Sequence, residues 1–169
     1  MAQDEGRFGR INIPKRAWCC NERPKSPRQI VRSYFYVFLC VCPHKGTLSS
    51  LILPESNTEM MNLFLEQVSE EYKDFFIIMQ VDQAGWHRSK ELKIPKNIAF
   101  AYQPAYSPEL NPVEHIWDDI REKETANIVF DTIAQAITAV SRGIRRLIAN
   151  PKQLSSMTMF PHIKEAALN

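Results

Sequence analysis

Three carboxylates occupy positions in this sequence where they could do chemistry. Asp82 ends an apolar run, residues 75–81, and an acid that follows a buried strand falls at the carboxyl edge of a sheet, where open α/β folds commonly place their sites. Glu114 follows a proline-rich segment at a helix start, and Asp4 lies near the first residue. If they are gathered together, such side chains would suit a metal-binding cluster.

Each acid also has an ordinary structural interpretation. Asp82 could close a turn or cap a helix. Glu114 could be favoured in a first helical turn by the helix dipole, and Asp4 could be a solvated terminal acid. No single position decides between the two interpretations.

Charge is unevenly spread along the chain. Residues 1–32 carry eight basic and three acidic side chains, a net charge of +5, whereas the whole chain of 169 residues has a net charge of +2. A basic segment beside an acidic cluster suits a polyanion held near a metal site. A solvated basic face is an equally good interpretation of the charge alone.

The composition indicates one folded domain, because 44% of the residues are hydrophobic and 24% are charged. The longest apolar run, residues 34–42, is too short to span a membrane, which takes about 20 residues. The first ten residues carry two acids and no apolar core, so we expect no secretory signal and a cytoplasmic location. The cysteine pairs, Cys19 with Cys20 and Cys40 with Cys42, lack zinc-site spacing and are expected to be reduced thiols.

The elements that would position the acids follow from the apolar pattern. Residues 33–42 and 47–53 predict a strand hairpin, and a helix is predicted from Asn57 or Thr58 through Tyr72. Residues 75–81 predict a strand buried on both faces. Three elements remain. Residues 98–102 predict a short strand, a helix that carries Glu114 is predicted to begin near Asn111 or Pro112, and a last helix is predicted at residues 130–149. This order predicts an α/β fold with a mixed sheet flanked by helices.

Three segments together resemble a known family. They are residues 4–9 (DEGRFG), 82–89 (DQAGWHRS) and 104–117 (PAYSPELNPVEHIW). The residues of these segments and their order along the chain resemble the motifs of the catalytic domain of DDE-type insertion-sequence transposases, in the group related to the mariner elements. The resemblance extends from Asp4 to about Phe160.

The resemblance implies a ribonuclease H-like fold and three catalytic, metal-binding carboxylates, Asp4, Asp82 and Glu114. It implies DNA strand cleavage and strand transfer with Mg²⁺ or Mn²⁺, as two ions, because hard cations prefer oxygen ligands and two of them can serve an in-line displacement at phosphorus. His87 is a candidate to orient a carboxylate or contact the phosphate, although a structural hydrogen bond is as good an interpretation. Asn111 is a candidate cap for the helix that presents Glu114.

Full-length relatives in this group also carry an amino-terminal helix-turn-helix region. We therefore expect residues 1–169 to form a single catalytic domain without that region, with a first strand truncated upstream of Asp4. DNA is the expected partner, as transposon ends and target, in a homodimer at the chromosome and away from membranes.

Two other functions remain open at this stage. The chain could be a truncated, non-catalytic transposase remnant that binds DNA or regulates an intact transposase. It could also be a nuclease of the same fold that cleaves RNA in RNA–DNA hybrids, which the segment around Glu114 disfavours.

Overall fold

Five strands form one sheet in the computed structural model, which describes residues 1–12, 14, 15 and 28–166. The strands are β1 (Ala2–Ile11), β2 (Ile30–Cys42), β3 (Thr47–Leu53), β4 (Ile77–Val81) and β5 (Ile98–Tyr102). The helices are α1 (Thr58–Glu71), α2 (Val113–Ile120), α3 (Ile133–Ile148), α4 (Pro151–Thr158) and α5 (Pro161–Ala166).

The strand order across the sheet is β3-β2-β1-β4-β5. β1, β2 and β3 pair in antiparallel fashion, whereas β4 is parallel to both β1 and β5. Helix α1 makes the crossover between the antiparallel hairpin and the parallel strands, as such a connection requires. The predicted mixed sheet flanked by helices is confirmed.

Two apolar cores cover the faces of β2, because successive side chains of a strand point to opposite faces. Val37 and Leu39 belong to the core beneath α2, α3 and α4. Phe38 and Cys40 belong to the core beneath α1. The two cores on its faces explain why the second half of β2 is almost uniformly apolar.

Strand β4 differs from its prediction. Its side chains alternate, with Met79 buried but Ile78 64% exposed, so the expectation of burial on both faces is wrong. Helix α1 packs on the face that holds Met79, and the opposite face of this part of the sheet is left largely open. Phe75 and Phe76 precede the strand and are exposed.

Strand β1 is ten residues long, although only Ala2 and Gln3 precede Asp4 within it. Ala2 lies opposite Gln80 of β4, and the backbone N–H of Gln80 donates to the carbonyl of Met1 at 2.8 Å. On its other side, Asp4 pairs with Leu39 of β2. Asp4 is therefore held in a strand that is paired at the level of the acid.

Helix starts follow local capping signals. The side chain of Asn57 accepts a hydrogen bond from the backbone N–H of Met60, which confirms the predicted start of α1. Thr132 caps α3 in the same way, so that helix begins three residues later than predicted. The apolar pattern does not predict helices α4 and α5. In the described residues no helix is long and apolar enough to cross a membrane.

The cysteine prediction concerns two places. Cys40 is a buried free thiol and Cys42 a partly buried one, which agrees with packing in the core of the sheet. Cys19 and Cys20 lie outside the described residues, as does most of the basic segment between β1 and β2.

The turn between β2 and β3 requires a glycine at position 46, because of the backbone conformation there and the close approach of Pro151. The φ of Gly46 is +61°, and a Cβ there would lie 2.1 Å from the carbonyl oxygen of Pro151 in α4. We expect Gly46→Ala to lower the free energy of unfolding by roughly 2–4 kcal/mol, measured by urea denaturation. Gly85→Ala is the matched control, because its Cβ would meet no atom within 4 Å. Equal stability of the two variants would contradict this account of the turn.

Candidate active site

Asp4, Asp82 and Glu114 line one cavity of about 470 Å³. The parallel pairing of β1 with β4 explains this placement, because Ala2 lies opposite Gln80 and so Asp4 is level with the first residue after β4. Helix α2 brings Glu114 from the same edge of the sheet. The remaining wall comes from the segments after β4 and β5, namely Gln83, Ala84, Gln103, Pro104, Ala105, Tyr106, Ser107, Pro108 and Asn111.

The Asp4 carboxylate is held by two donors. The indole N–H of Trp117 donates to Oδ2 at 2.9 Å, and the backbone N–H of Glu5 donates to Oδ1 at 2.9 Å. Burial is the main reason that the pKa of Asp4 is raised to about 7, and the charges of Glu5 and Glu114 act in the same direction, against the hydrogen bonds from Trp117 and from the backbone of Glu5. A nearby cation would favour the ionised form of this side chain.

The Asp82 carboxylate is ionised in its environment. Its Oδ1 accepts the backbone N–H of Ala84 at 2.9 Å and contacts Nδ1 of His87 at 2.7 Å. The hydrogen bond from His87 is the main reason that the pKa of Asp82 is lowered. No donor from the described residues contacts Oδ2, so one oxygen of this carboxylate is available to a ligand.

His87 lies buried between two acids. Its Nδ1 faces Asp82, and its Nε2 is 3.1 Å from Oε1 of Glu5, to which the side chain of Gln3 also donates at 2.8 Å. Burial by itself would lower the pKa of His87, but the hydrogen bonds to Asp82 and Glu5 and their charges outweigh it and raise the pKa to about 9. His87 is therefore protonated at neutral pH and links β1 to the end of β4.

Sequence reasoning missed Glu5, although a signal for it was present. Side chains alternate along a strand, so a second acid beside Asp4 must point to the opposite face. That face is the apolar core beneath α1, where a carboxylate needs a partner. The nearby histidine of the segment after β4, His87, is that partner.

Asn111 joins the two elements that carry Asp4 and Glu114. Its side-chain amide donates to the carbonyl of Gln3 in β1 at 3.1 Å, and its Oδ1 accepts the backbone N–H of Val113 at 3.1 Å. Asn111 is buried, so both bonds are protected from water. The side chain thus satisfies an N–H at the start of α2 and ties that helix to the strand of Asp4.

Glu114 lies in the first turn of α2 and is partly buried. No described side chain pairs with its carboxylate, and its charge contributes to the raised pKa of Asp4. The cavity therefore contains one carboxylate with no partner, one with a free oxygen and one that is destabilised as an anion.

The three acids fit a hard divalent cation by the chemistry of their donors, since Mg²⁺ and Mn²⁺ prefer carboxylate oxygen. A cation would also relieve the mutual repulsion that raises the pKa of Asp4. The three side chains line one cavity. In the described part of the chain, however, no three His, Cys, Asp or Glu side chains are placed to hold one metal ion. Carboxylates of like charge repel one another, so such a separation is the expected arrangement of these acids on their own.

Residues 1–136 match the family model described as a DDE superfamily endonuclease. An uncharacterized protein, y4pE/y4sA of Sinorhizobium fredii (strain NBRC 101917 / NGR234), is 35% identical over 123 residues. That alignment covers 72% of this chain and 91% of the relative.

Solved structures with a similar fold include three complexes of the Mos1 transposase. The paired-end complex with the left transposon end has a TM-score of 0.60 and 16% identity, covering 94% of this chain and 55% of the other. The mariner paired-end complexes with Mn and with Mg, also 16% identical, have TM-scores of 0.52 and 0.53 and cover 94% and 93% of this chain and 55% of the other. This chain spans about half the length of those proteins, and the likeness establishes a ribonuclease H-like fold.

Proposed function

This chain belongs to the DDE superfamily of endonucleases, and from that premise we propose that it is the catalytic domain of a transposase that cleaves and joins DNA strands with divalent metal ions. The observation that carries the proposal is the single cavity lined by Asp4, Asp82 and Glu114. The transposon end in one of the similar Mos1 complexes, and the Mn or Mg in the other two, agree with this assignment.

In this proposal Asp4, Asp82 and Glu114 hold two cations. Bound cations of this kind polarise the phosphate and favour ionisation of the attacking hydroxyl at neutral pH. Asp82 would offer the oxygen that His87 does not contact, and Glu114 a carboxylate with no competing partner among the described residues. Trp117 would hold the Asp4 carboxylate in place through its indole N–H. The chain itself needs no covalent nucleophile. Water or a DNA 3′-hydroxyl would attack the phosphorus and lose its proton, while the opposite P–O bond would break and the leaving sugar oxygen would take up a proton.

Two supporting side chains act through others in the proposed mechanism. His87 would keep Asp82 ionised and fixed in orientation from its buried position against Glu5. Asn111 would hold the start of α2 against β1, so that Glu114 and Asp4 keep their relative positions. Outer contacts of this type typically change metal affinity 10- to 100-fold when they are removed.

The wider assembly is also part of the proposal. Cleaving and joining two transposon ends requires two active sites in one complex, so we propose that two copies of this catalytic domain act together on DNA. Residues 1–169 would supply the chemistry, and recognition of the ends would come from a separate helix-turn-helix region.

The test is a titration of Mn²⁺ into the purified chain while its melting temperature is followed. A ligand that binds only the folded state stabilises it by about 2.7 kcal/mol at a concentration of 100 times the dissociation constant. We expect the parent and the control Asp74→Asn to be stabilised equally, because Asp74 is exposed in the turn after α1. Asp82→Asn should lose most of this stabilisation and, in parallel, the nicking of supercoiled DNA.

An absence of Mn²⁺ stabilisation in the parent would contradict the proposal. Equal stabilisation of the parent and Asp82→Asn would contradict the assignment of the cavity. Retained DNA binding without metal binding would favour the non-catalytic remnant.

A further inference from the structure

A second cavity, of about 210 Å³, is lined by cations rather than acids. Arg7, Lys15 and Arg121 contribute to its wall, whereas none of the described residues that line it is Asp or Glu. The aromatic rings of Phe8 and Tyr34 line it as well. The proposed active site does not use this cationic pocket.

The two arginines have no acidic partner in the part of the chain that the structure describes. The guanidinium of Arg7 lies 4.9 Å from the ring centre of Tyr34, and that of Arg121 lies 5.4 Å from the ring centre of Phe8. By contrast, Arg142 forms an ion pair with Glu124. Among the described residues, the two arginines of the pocket therefore lie on flat aromatic rings without an acidic partner, which leaves their N–H groups available to an anion.

Strand β1 places this pocket beyond the acid cavity. β1 continues from Asp4 to Ile11, whereas its parallel neighbour β4 ends at Val81, level with Gln3. Arg7 is three residues past Asp4, which is roughly 10 Å along a strand. The pocket is thus reached from the acid cavity by following β1 outward from the carboxyl edge of the parallel strands.

Helix α2 leads to the same place. Glu114 and Arg121 are seven residues apart, so they lie on one side of the helix about 10 Å from each other. Glu114 lies close enough to Asp4 to affect its pKa, and Arg121 lies over Phe8, so the helix runs alongside the strand in the same direction. The helix thus carries an acid and, about 10 Å later, an arginine on one side. On β1 the side chains of Asp4 and Arg7 start from opposite faces of the strand, and Arg7 meets Arg121 in the pocket at the edge of β1 beyond the end of β4.

We propose that the cationic pocket binds a backbone phosphate of the DNA strand whose cleavage site lies in the acid cavity. Each strand of DNA has one phosphate per 3.4 Å of helix axis, so a separation of about 10 Å corresponds to roughly three nucleotides. The pocket would fix the position of the strand without reading its sequence. This inference rests on the proposed function for the position of the cleaved phosphate.

The test measures DNA binding by fluorescence anisotropy in EDTA, so that the metal site makes no contribution. A labelled duplex is titrated at several KCl concentrations with the parent, Arg7→Gln, Arg121→Gln and the double variant. We expect each single variant to bind about 3- to 10-fold more weakly near 0.1 M KCl. The slope of log K against log salt should fall in magnitude by about 0.9 for each phosphate that the variant no longer neutralises.

The control is Lys96→Gln, which removes an exposed cation from the segment before β5, at the opposite edge of the sheet. We expect this control to bind like the parent, and Arg121→Lys, which keeps the charge, to retain the parent salt slope. Melting temperatures of all variants check folding, and Arg121→Lys and Arg7→Gln still test the pocket if Arg121→Gln fails to fold.

Equal losses in Lys96→Gln and the pocket variants would overturn the inference, because only net charge would then matter. Parent-like binding by the double variant, or no DNA binding by the parent in EDTA, would overturn it too. Neither result bears on the Mn²⁺ titration of the parent and Asp82→Asn, so a failure of the cationic pocket is distinguishable from a failure of the proposed active site.

Discussion

Replacing Asp4 by asparagine should stabilise the metal-free chain and at the same time abolish its metal-dependent DNA cleavage. Asparagine has the same shape as aspartate but carries no charge in this buried position. Its oxygen can still accept the hydrogen bond from Trp117, whereas its amide group cannot accept the one from the backbone N–H of Glu5, so part of the gain is lost. Loss of a proposed metal ligand should reduce cleavage by about 10²- to 10³-fold, the size of effect seen when a charge-stabilising group is removed.

The gain in stability should depend on pH in a defined direction. The pKa of Asp4 is about 7 in the folded chain and close to its ordinary value of 3.8 in the unfolded chain. Below pH 4 the side chain is neutral in both states, so it has no effect on the free energy of unfolding. Between pH 4 and 7 the unfolded chain ionises first, so the parent loses stability as the pH rises. Above pH 7 the full cost is present.

The measurement is urea unfolding of the parent and Asp4→Asn between pH 4 and 8.5 in EDTA. We expect the variant to be more stable by roughly 1–3 kcal/mol at pH 8 and by almost nothing at pH 4. Asp74→Asn, at an exposed turn, should track the parent throughout. An Asp4→Asn variant that is less stable than the parent at pH 8 would show that the charge of Asp4 is compensated within the chain.

Replacing His87 by alanine should have large effects of a different kind. Glu5 would be left as a buried carboxylate with only Gln3 as its side-chain partner, and breaking a buried pair in this way costs about 3–5 kcal/mol. Asp82 would lose the hydrogen bond that lowers its pKa and orients its carboxylate. We therefore expect a loss of stability together with a 10- to 100-fold weaker Mn²⁺ affinity.

A second substitution separates the two effects. Glu5→Gln in the His87→Ala background removes the buried, unpaired charge of Glu5 and should recover part of the lost stability. It should not recover the Mn²⁺ affinity, because Asp82 still lacks its partner. Urea unfolding at pH 6 and Mn²⁺ titration give the two readouts. The matched control is His44→Ala, in the exposed turn between β2 and β3, which should change neither. Recovery of Mn²⁺ affinity in the double variant would contradict a positioning role for His87.

The contribution of His87 to stability depends on pH because of a favourable interaction with two acids, whereas that of Asp4 depends on pH because its charge is buried at a cost. The pKa of His87 is raised from 6.5 to about 9, so the folded chain holds the proton more tightly than the unfolded chain does. The stabilisation is complete below pH 6.5 and is lost as the pH rises through 9. The difference in stability between the parent and His87→Ala should accordingly shrink between pH 6.5 and 9 and change little at higher pH.

Several elements could be predicted from the sequence because their signals are local. The cap at Asn57 places the start of α1, and the apolar run of β2 reflects a strand with a core on each face. The residues of three sequence motifs, rather than hydrophobic periodicity, indicated the family. The match of residues 1–136 to the family model then established it. The same motifs selected Asp4, Asp82 and Glu114, which the structure brings to one cavity.

Other features depend on which elements become neighbours in space. Ile78 is exposed because none of the described helices covers it, and an apolar run by itself does not say how many of its faces are covered. Glu5 and His87 form a pair although they are 82 positions apart in the sequence. Arg7 and Arg121, which line the cationic pocket, are likewise far apart in the sequence. Residue types and local patterns predicted strands β2 to β5 and helices α1 to α3, and the resemblance of three motifs to a known family indicated the candidate acids. Only the tertiary structure decided which charges are buried, paired or left free, because desolvation and Coulomb interaction depend on distances that close only when the sheet and its helices pack together.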